Sequence, residues 1–246
     1  MRKYLLLLIG IFSLVSAKAQ LSAQEKKERI QASYMIVTGR GPNQGELDYW
    51  SKQPDQTIPQ LVALHQTYIP KDATFHRNLI IKSYIDALGR RPSEDEIKYW
   101  MAGTDTYTSL VQKHVQWLTG NPGEYEKTIK RSYKYVLGRL PSNDELNWWK
   151  QQGTYSFIAL CGCHSDWAKR NNLGERNTLT SFTNGFLQLL PLGSKVAGEA
   201  KNFMNIPMVG NILSFGAEKI KTSVGSTTMI SSLETLLNSF PVSIPL

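Results

Sequence analysis

Residues 84–100 read YIDALGRRPSEDEIKYW. The segment from Ile80 to Leu88 forms a helix, and Gly89 supplies the left-handed conformation that ends it. Pro92 blocks continuation. Ser93 then stands as an N-cap with Glu96 three residues later, the capping-box pairing that opens a new helix and contributes on the order of 1 kcal/mol. The stretch predicts helix, tight Gly-Arg-x-Pro turn, helix.

The same pattern occurs twice more. Residues 34–50 are YMIVTGRGPNQGELDYW and residues 133–149 are YKYVLGRLPSNDELNWW. Gly39, Gly89 and Gly138, then Arg40, Arg90 and Arg139, then Glu46, Glu96 and Glu145, then Trp50, Trp100 and Trp149 recur at offsets of 50 and 49 residues. Downstream, LVALHQTY (61–68), LVQKHVQW (110–117) and LCGCHSDW (160–167) place His65, His114 and His164 at one position of a third helix. Leu110, His114 and Trp117 are spaced i, i+4, i+7 and so share a helix face, which predicts a histidine within an apolar stripe. A linker at Asn121, Pro122 and Gly123 leads into the next copy. Such recurrence is the signature of stacked modules that cannot bury their apolar faces alone. The expected fold is all-α: three tandem helical repeats of about fifty residues (28–77, 78–126 and 127–178, within a domain 20–178) plus a smaller helical C-terminal region, 179–246. Ser181 and Phe182 lie 49 residues beyond Ser132 and Tyr133 without a following turn, as in a degenerate capping unit.

The first residues read as an export signal. Arg2 and Lys3 precede an apolar run, Leu5–Val15, too short to span a bilayer, and Ala17-Lys18-Ala19 fits a cleavage site. Residues 1–19 are expected to be removed, with no cysteine following to carry a lipid anchor. That removal lowers the formal charge by three, from +8 to +5. No run of apolar residues is long enough for a transmembrane helix. No basic stripe or recognition motif points to nucleic acid. Cys161 and Cys163, two positions apart, are no disulfide framework.

Beyond residue 180 the charge density halves and Trp and Tyr disappear. Val209, Ile212, Leu213 and Ile220, and then Met229, Ile230, Leu233, Leu236 and Leu237, keep helical periodicity. They are expected either to form a small subdomain packed on the last repeat or to dock a partner or membrane surface.

The string Tyr84–Trp100 resembles a DUF4214-type repeat, a helical domain of secreted and surface-layer-associated bacterial proteins similar to phycobilisome linker domains. The resemblance covers residues 28–170, with Glu46, Glu96 and Glu145 where that family carries glycine. It implies a structural role at the envelope or cell surface and supplies no catalytic residues.

Each recurring chemical group has a structural reading beside a functional one. Three histidines could ligate a metal only if whole repeats converged. As core groups they are neutral imidazoles bonded to a tyrosine hydroxyl, a carboxylate or a backbone carbonyl. The glutamates are explained by capping, since a glycosidase needs two carboxylates facing across a cleft. The arginines follow helix C-termini, where a cation is favoured; they pair with the nearby glutamates or bind surface anions. The Tyr-Trp pairs are expected in the core, or, if exposed, to stack on sugars. No catalytic residue, cofactor or metal is assigned. The expectation is an exported, non-catalytic scaffold or adaptor, periplasmic or at the cell surface, that binds an envelope protein. A cell-wall or carbohydrate-binding module is the alternative, and a hydrolytic or metal-dependent enzyme the third reading. A row of exposed rings would favour the glycan.

Overall fold

A computed structural model describes residues 22–171 together with Val196, Glu199 and Ala200. The expected export signal and the apolar positions Val209 to Leu237 lie outside the described residues. Within them the chain is all-α, with nine helices and no strand. The helices are α1 (Ala23–Thr38), α2 (Gln44–Ser51), α3 (Ile58–Gln66), α4 (Ala73–Leu88), α5 (Glu94–Met101), α6 (Tyr107–Gly120), α7 (Pro122–Leu137), α8 (Asn143–Gln151) and α9 (Phe157–Arg170), with a 3-10 turn at Ile69–Lys71. None is long and apolar enough to cross a membrane.

Long helix, short helix and third helix form three successive trios. The long helices end where expected: Gly39, Gly89 and Gly138 have φ of +70°, +66° and +74°. The short helices open on full capping boxes at Asn43, Ser93 and Ser142. The expected boundaries at 77/78 and 126/127 need correction, because they fall inside α4 and α7. Pro122 is not in a linker: it occupies the first position of α7, where its missing N–H costs nothing, and Asn121 alone separates α6 from α7.

Within each trio the long helix packs on the third, α1 on α3, α4 on α6 and α7 on α9. Between trios the long helix packs on the next trio's third helix, α1 on α6 and α4 on α9. One apolar cluster accordingly runs from Ile36, Ile58 and Val62 through Ile80, Leu88 and Leu110 to Ile129 and Leu160. The junctions are close. A Cβ on Gly39 would lie 2.7 Å from the Tyr107 ring, and one on Gly89 would lie 2.4 Å from the Phe157 ring. The two aromatic residues open α6 and α9. Side chains also bridge to the last turn of the preceding long helix: Thr108 Oγ1 donates to the Ile36 carbonyl at 3.3 Å and Arg131 Nη1 to the Leu88 carbonyl at 3.2 Å, while Thr128 Oγ1, bonded to the Glu124 carbonyl at 3.0 Å, lies 3.4 Å from the Leu88 oxygen.

Left-handed backbone costs a non-glycine residue about 1–2 kcal/mol, and overpacking adds about 1–3 kcal/mol. Gly89→Ala should therefore lower unfolding free energy in urea by roughly 2–5 kcal/mol. Gly153, also at positive φ but with nothing within 4 Å of a Cβ, is the control. An equal loss for Gly153→Ala would mean that backbone strain, and not the junction, sets the cost.

Candidate functional site

The recurring residues converge on one cluster per trio. Arg90, just past the end of α4, reaches Glu96 in a two-pronged pair, Nη1–Oε2 at 2.8 Å and Nη2–Oε1 at 2.7 Å. Arg40–Glu46 and Arg139–Glu145 repeat it at 2.6–2.7 Å. Each glutamate also accepts the N-cap amide, from Asn43, Ser93 or Ser142, at 2.7 Å. The guanidinium lies over a tyrosine of the long helix, 5.6, 5.2 and 5.3 Å from the rings of Tyr34, Tyr84 and Tyr133. That tyrosine's hydroxyl accepts the indole N–H of Trp50, Trp100 or Trp149 at 2.9–3.0 Å. Against the same tyrosine ring lies the histidine of the third helix, with centroids 4.4, 4.2 and 4.2 Å apart for His65, His114 and His164.

The electrostatics follow from burial and pairing. The Arg90 guanidinium holds the Glu96 carboxyl down to about 2 against the opposing effect of burial, and Arg139 does the same for Glu145. Burial has the largest single effect on Glu46 and raises it, but the Arg40 and Asn43 hydrogen bonds together leave it below the usual range. Burial pushes His114 and His164 down to about 3 and His65 to about 4. All three imidazoles are neutral at pH 7.

A serine completes the cluster in two trios. Ser83 Oγ lies 3.1 Å from His114 Nε2, and Ser132 Oγ lies 3.0 Å from His164 Nε2. The histidine partner is thus a serine, not the tyrosine hydroxyl, carboxylate or backbone carbonyl expected. A serine beside a histidine raises the question of a nucleophile and its base. Here each serine donates its only proton to the carbonyl one turn back, Ile80 or Ile129, at 2.7–2.8 Å. Nε2 must then carry the proton and donate, so the imidazole cannot take one from the serine. Both serines are fully buried. The dyad geometry serves packing.

His65 departs from the pattern. Ser33 donates to the Ile30 carbonyl, but neither ring nitrogen of His65 has a hydrogen-bond partner although the residue is buried.

Other expectations are placed differently by the structure. The recurring arginines also donate to the carbonyl of the following residue, which with the glutamate fork commits the guanidinium and argues against surface anion binding. The histidines sit in three separate clusters, and no group of three metal-ligating residues occurs among the described residues. Cys161 is a buried apolar group beside Val136 and Phe157, its thiol pushed up by burial. The Tyr-Trp pairs are split rather than jointly buried. Trp149 is buried and Trp50 and Trp100 partly so, but Tyr49, Tyr99 and Trp148 are 57%, 73% and 53% exposed. Each stands edge-on to its buried neighbour at 4.8–5.3 Å. Trp117 leaves the apolar stripe as well: Tyr68, Trp117 and Trp167 are 54%, 42% and 42% exposed, while Val111, His114 and Leu118 face inward. Compared with known proteins, the chain matches no family model, no curated protein and no solved structure.

The unequal histidines make a sharp test. An unpaired buried polar group costs about 1–3 kcal/mol, so His65→Leu should leave stability unchanged or raise it. His114→Leu and His164→Leu strip a donor from a buried serine and should each lose about 1–3 kcal/mol in urea unfolding. An unfolded histidine takes up its proton near pH 6.5, whereas these wait until about 3–4. Over that interval the unfolded chain binds more protons, so stability is intact above pH 6.5 and falls as acid is added. Three groups at about 1.4 kcal/mol per unit give a slope of roughly 4 kcal/mol per pH unit near pH 5. His114→Leu should remove about a third of that slope, and an unaltered slope would show that other groups control the acid transition.

Proposed function

We propose that this chain is an exported, non-catalytic array of three tandem helical units of DUF4214 type that binds an extended glycan at the bacterial envelope or cell surface. What supports this reading is the exposed aromatic set. Two rings stand out of each trio, one on the short helix (Tyr49, Tyr99, Trp148) and one on the third helix (Trp117, Trp167) or, for Tyr68, two residues past the end of α3. Of the large hydrophobic side chains exposed among the described residues, only Leu64 and Leu140 are aliphatic. A protein-docking face buries a cluster of anchors within a contiguous apolar patch. Here rings stand among polar side chains, with exposed Asp48, Asp95 and Asp144 next to or near those of the short helices. Flat rings next to hydrogen-bonding groups suit the alternating apolar faces and hydroxyl edges of sugars, and stacked units suit a ligand that is itself repetitive. The recurring polar groups support a non-catalytic role, because capping, the arginine fork and ring packing account for them.

The scaffold reading, in which a protein partner is bound, is favoured by one observation: the described part of the C-terminal region lies on the first trio and not on the last, with Glu199 paired to Arg29 at 2.6 Å.

Binding should be measured as co-sedimentation with insoluble cell-wall polysaccharide and as affinity for soluble oligosaccharides. A stacked ring is worth about 0.5–1.5 kcal/mol beyond its area, so Tyr99→Ala and Trp148→Ala should each weaken binding roughly three- to tenfold without shifting Tm. The double variant should multiply the two losses. Retention of full binding by the double variant would refute the aromatic surface, and wild-type protein that pulls down no glycan would return the scaffold reading to first place.

A further inference from the structure

The two interior junctions define what the leading side of a trio accepts. At the second junction Arg131 Nη1 of α7 donates to the carbonyl of Leu88 at the end of α4, with Thr128 Oγ1 at 3.4 Å from the same oxygen, and the start of α9 lies over the Gly89 turn. The start of α6 lies likewise over the Gly39 turn, with Thr108 bonded to the Ile36 carbonyl. In the first trio the residues in register are Arg29, for Thr128, and Ile58, for Tyr107 and Phe157. Among the described residues no trio precedes them, yet both positions are engaged. Arg29 Nη2 pairs with Glu199 Oε1 at 2.6 Å, and the Ile58 amide donates to Glu199 Oε2 at 3.4 Å. Val196 and Ala200 are buried in the same apolar cluster as Ile58 and Val62. The Glu199 carboxylate therefore supplies acceptors where a preceding long helix would present its last carbonyls.

The fit is incomplete. Arg29 is 6% exposed, yet its Nε has no hydrogen-bond partner, and neither does Gln56 Oε1 beside it, although the Gln56 carbonyl accepts from Arg29 Nη1. Buried polar groups of a permanent core are nearly all satisfied. The cover made by Val196, Glu199 and Ala200 leaves these two atoms unpaired, so a cover that pairs them is favoured over it.

We propose that the leading face of α1 and α3 is an assembly surface for a second copy of this chain, held closed in cis by Val196, Glu199 and Ala200 through the Arg29–Glu199 latch. The end that adds is the C-terminal turn of α7, whose Gly138 has the φ of +74° and the Arg139–Glu145 fork shared by the turns at the interior junctions. The contact is heterologous and head-to-tail, so it propagates instead of closing into a two-fold dimer. The proposal rests on the tandem-unit reading but not on glycan binding, and its readout is assembly.

Sedimentation velocity of the full-length chain over a hundredfold concentration range tests it. Wild type should sediment as one concentration-independent species. Glu199→Arg should associate progressively, and the charge-exchanged Arg29→Glu/Glu199→Arg chain should return to the wild-type profile. Because Glu199→Arg breaks the latch in trans as well as in cis, exchanged tails cannot produce that association. Glu199→Arg sedimenting as wild type overturns the proposal, as does association that charge exchange fails to reverse. Loss of the helical far-UV signal in Glu199→Arg also overturns it, since Val196, Glu199 and Ala200 would then be core and not a cover. Glycan affinity unchanged in a chain that assembles keeps this result separate from the binding test.

Discussion

Glu46, Glu96 and Glu145 each hold two structures together at once. The carboxylate takes the arginine that follows the long helix and the N-cap amide that opens the short one. Charge-assisted, two-pronged pairs of this kind are directional as well as strong. The fork fixes the turn between the two helices, and the turn sets where the short helix points its tryptophan. The indole N–H then meets the tyrosine hydroxyl, the guanidinium covers one part of that ring, and the histidine of the third helix lies against it. Without the fork, the tyrosine would face a tryptophan at no fixed angle, and a neutral imidazole would have no ring to lie on. This chain of contacts explains why so many polar residue types recur in a part of the fold where aliphatic packing alone would bury area equally well.

Much of this could be read from the residues. Glycine, proline and the capping pairs identified the turns and the short helices, because those signals act within four residues. The third helices were less visible. Their caps, Thr57, Thr106 and Ser156, sit in one register and bond to the backbone three residues on, but only Thr57 has a capping-box partner, Gln60, and the lone caps at Thr106 and Ser156 are weaker marks. The role of Ser83 and Ser132 as histidine partners could not be read, because it joins residues 31 and 32 apart and depends on the packing angle of two helices. The exposure of Tyr49, Tyr99 and Trp148 was missed for a related reason. A short helix of two turns buries one stripe, and adjacent aromatic residues 100° apart cannot both lie in it.

The same limit applies to the first trio. Its histidine stands in register with the other two and still lacks the serine bond, although Ser33 is in place. Ring centroids of Trp50 and His65 are 4.6 Å apart, against 5.1 and 5.0 Å in the other trios, so the imidazole sits closer to the indole there. Recurrent residues place the same groups together in each trio, but the last few tenths of an ångström, which decide whether a hydrogen bond forms, belong to the surroundings of each trio.

The junctions differ as well. Between the first and second trios the residue over the glycine is Tyr107, whose hydroxyl donates to Asp86 at 2.6 Å beside a buried Lys82–Asp86 pair at 2.5 Å. Between the second and third it is Phe157, which has no hydroxyl and needs no such partner. A buried ion pair is weak evidence for stability, because desolvation offsets most of its attraction. The pair's hydrogen-bond partner is built into the second trio, where Tyr107 of α6 satisfies Asp86 of α4; Phe157 instead clusters with Val136 and Cys161, with the Tyr135 ring edge-on to it at 5.9 Å. Lys82, Asp86 and Tyr107 all belong to the second trio, so each covering ring meets its needs within its own unit. The Tyr107 hydroxyl finds Asp86, Phe157 needs no partner, and both glycine turns are covered without a buried hydroxyl left unpaired, which leaves burial to drive the stacking.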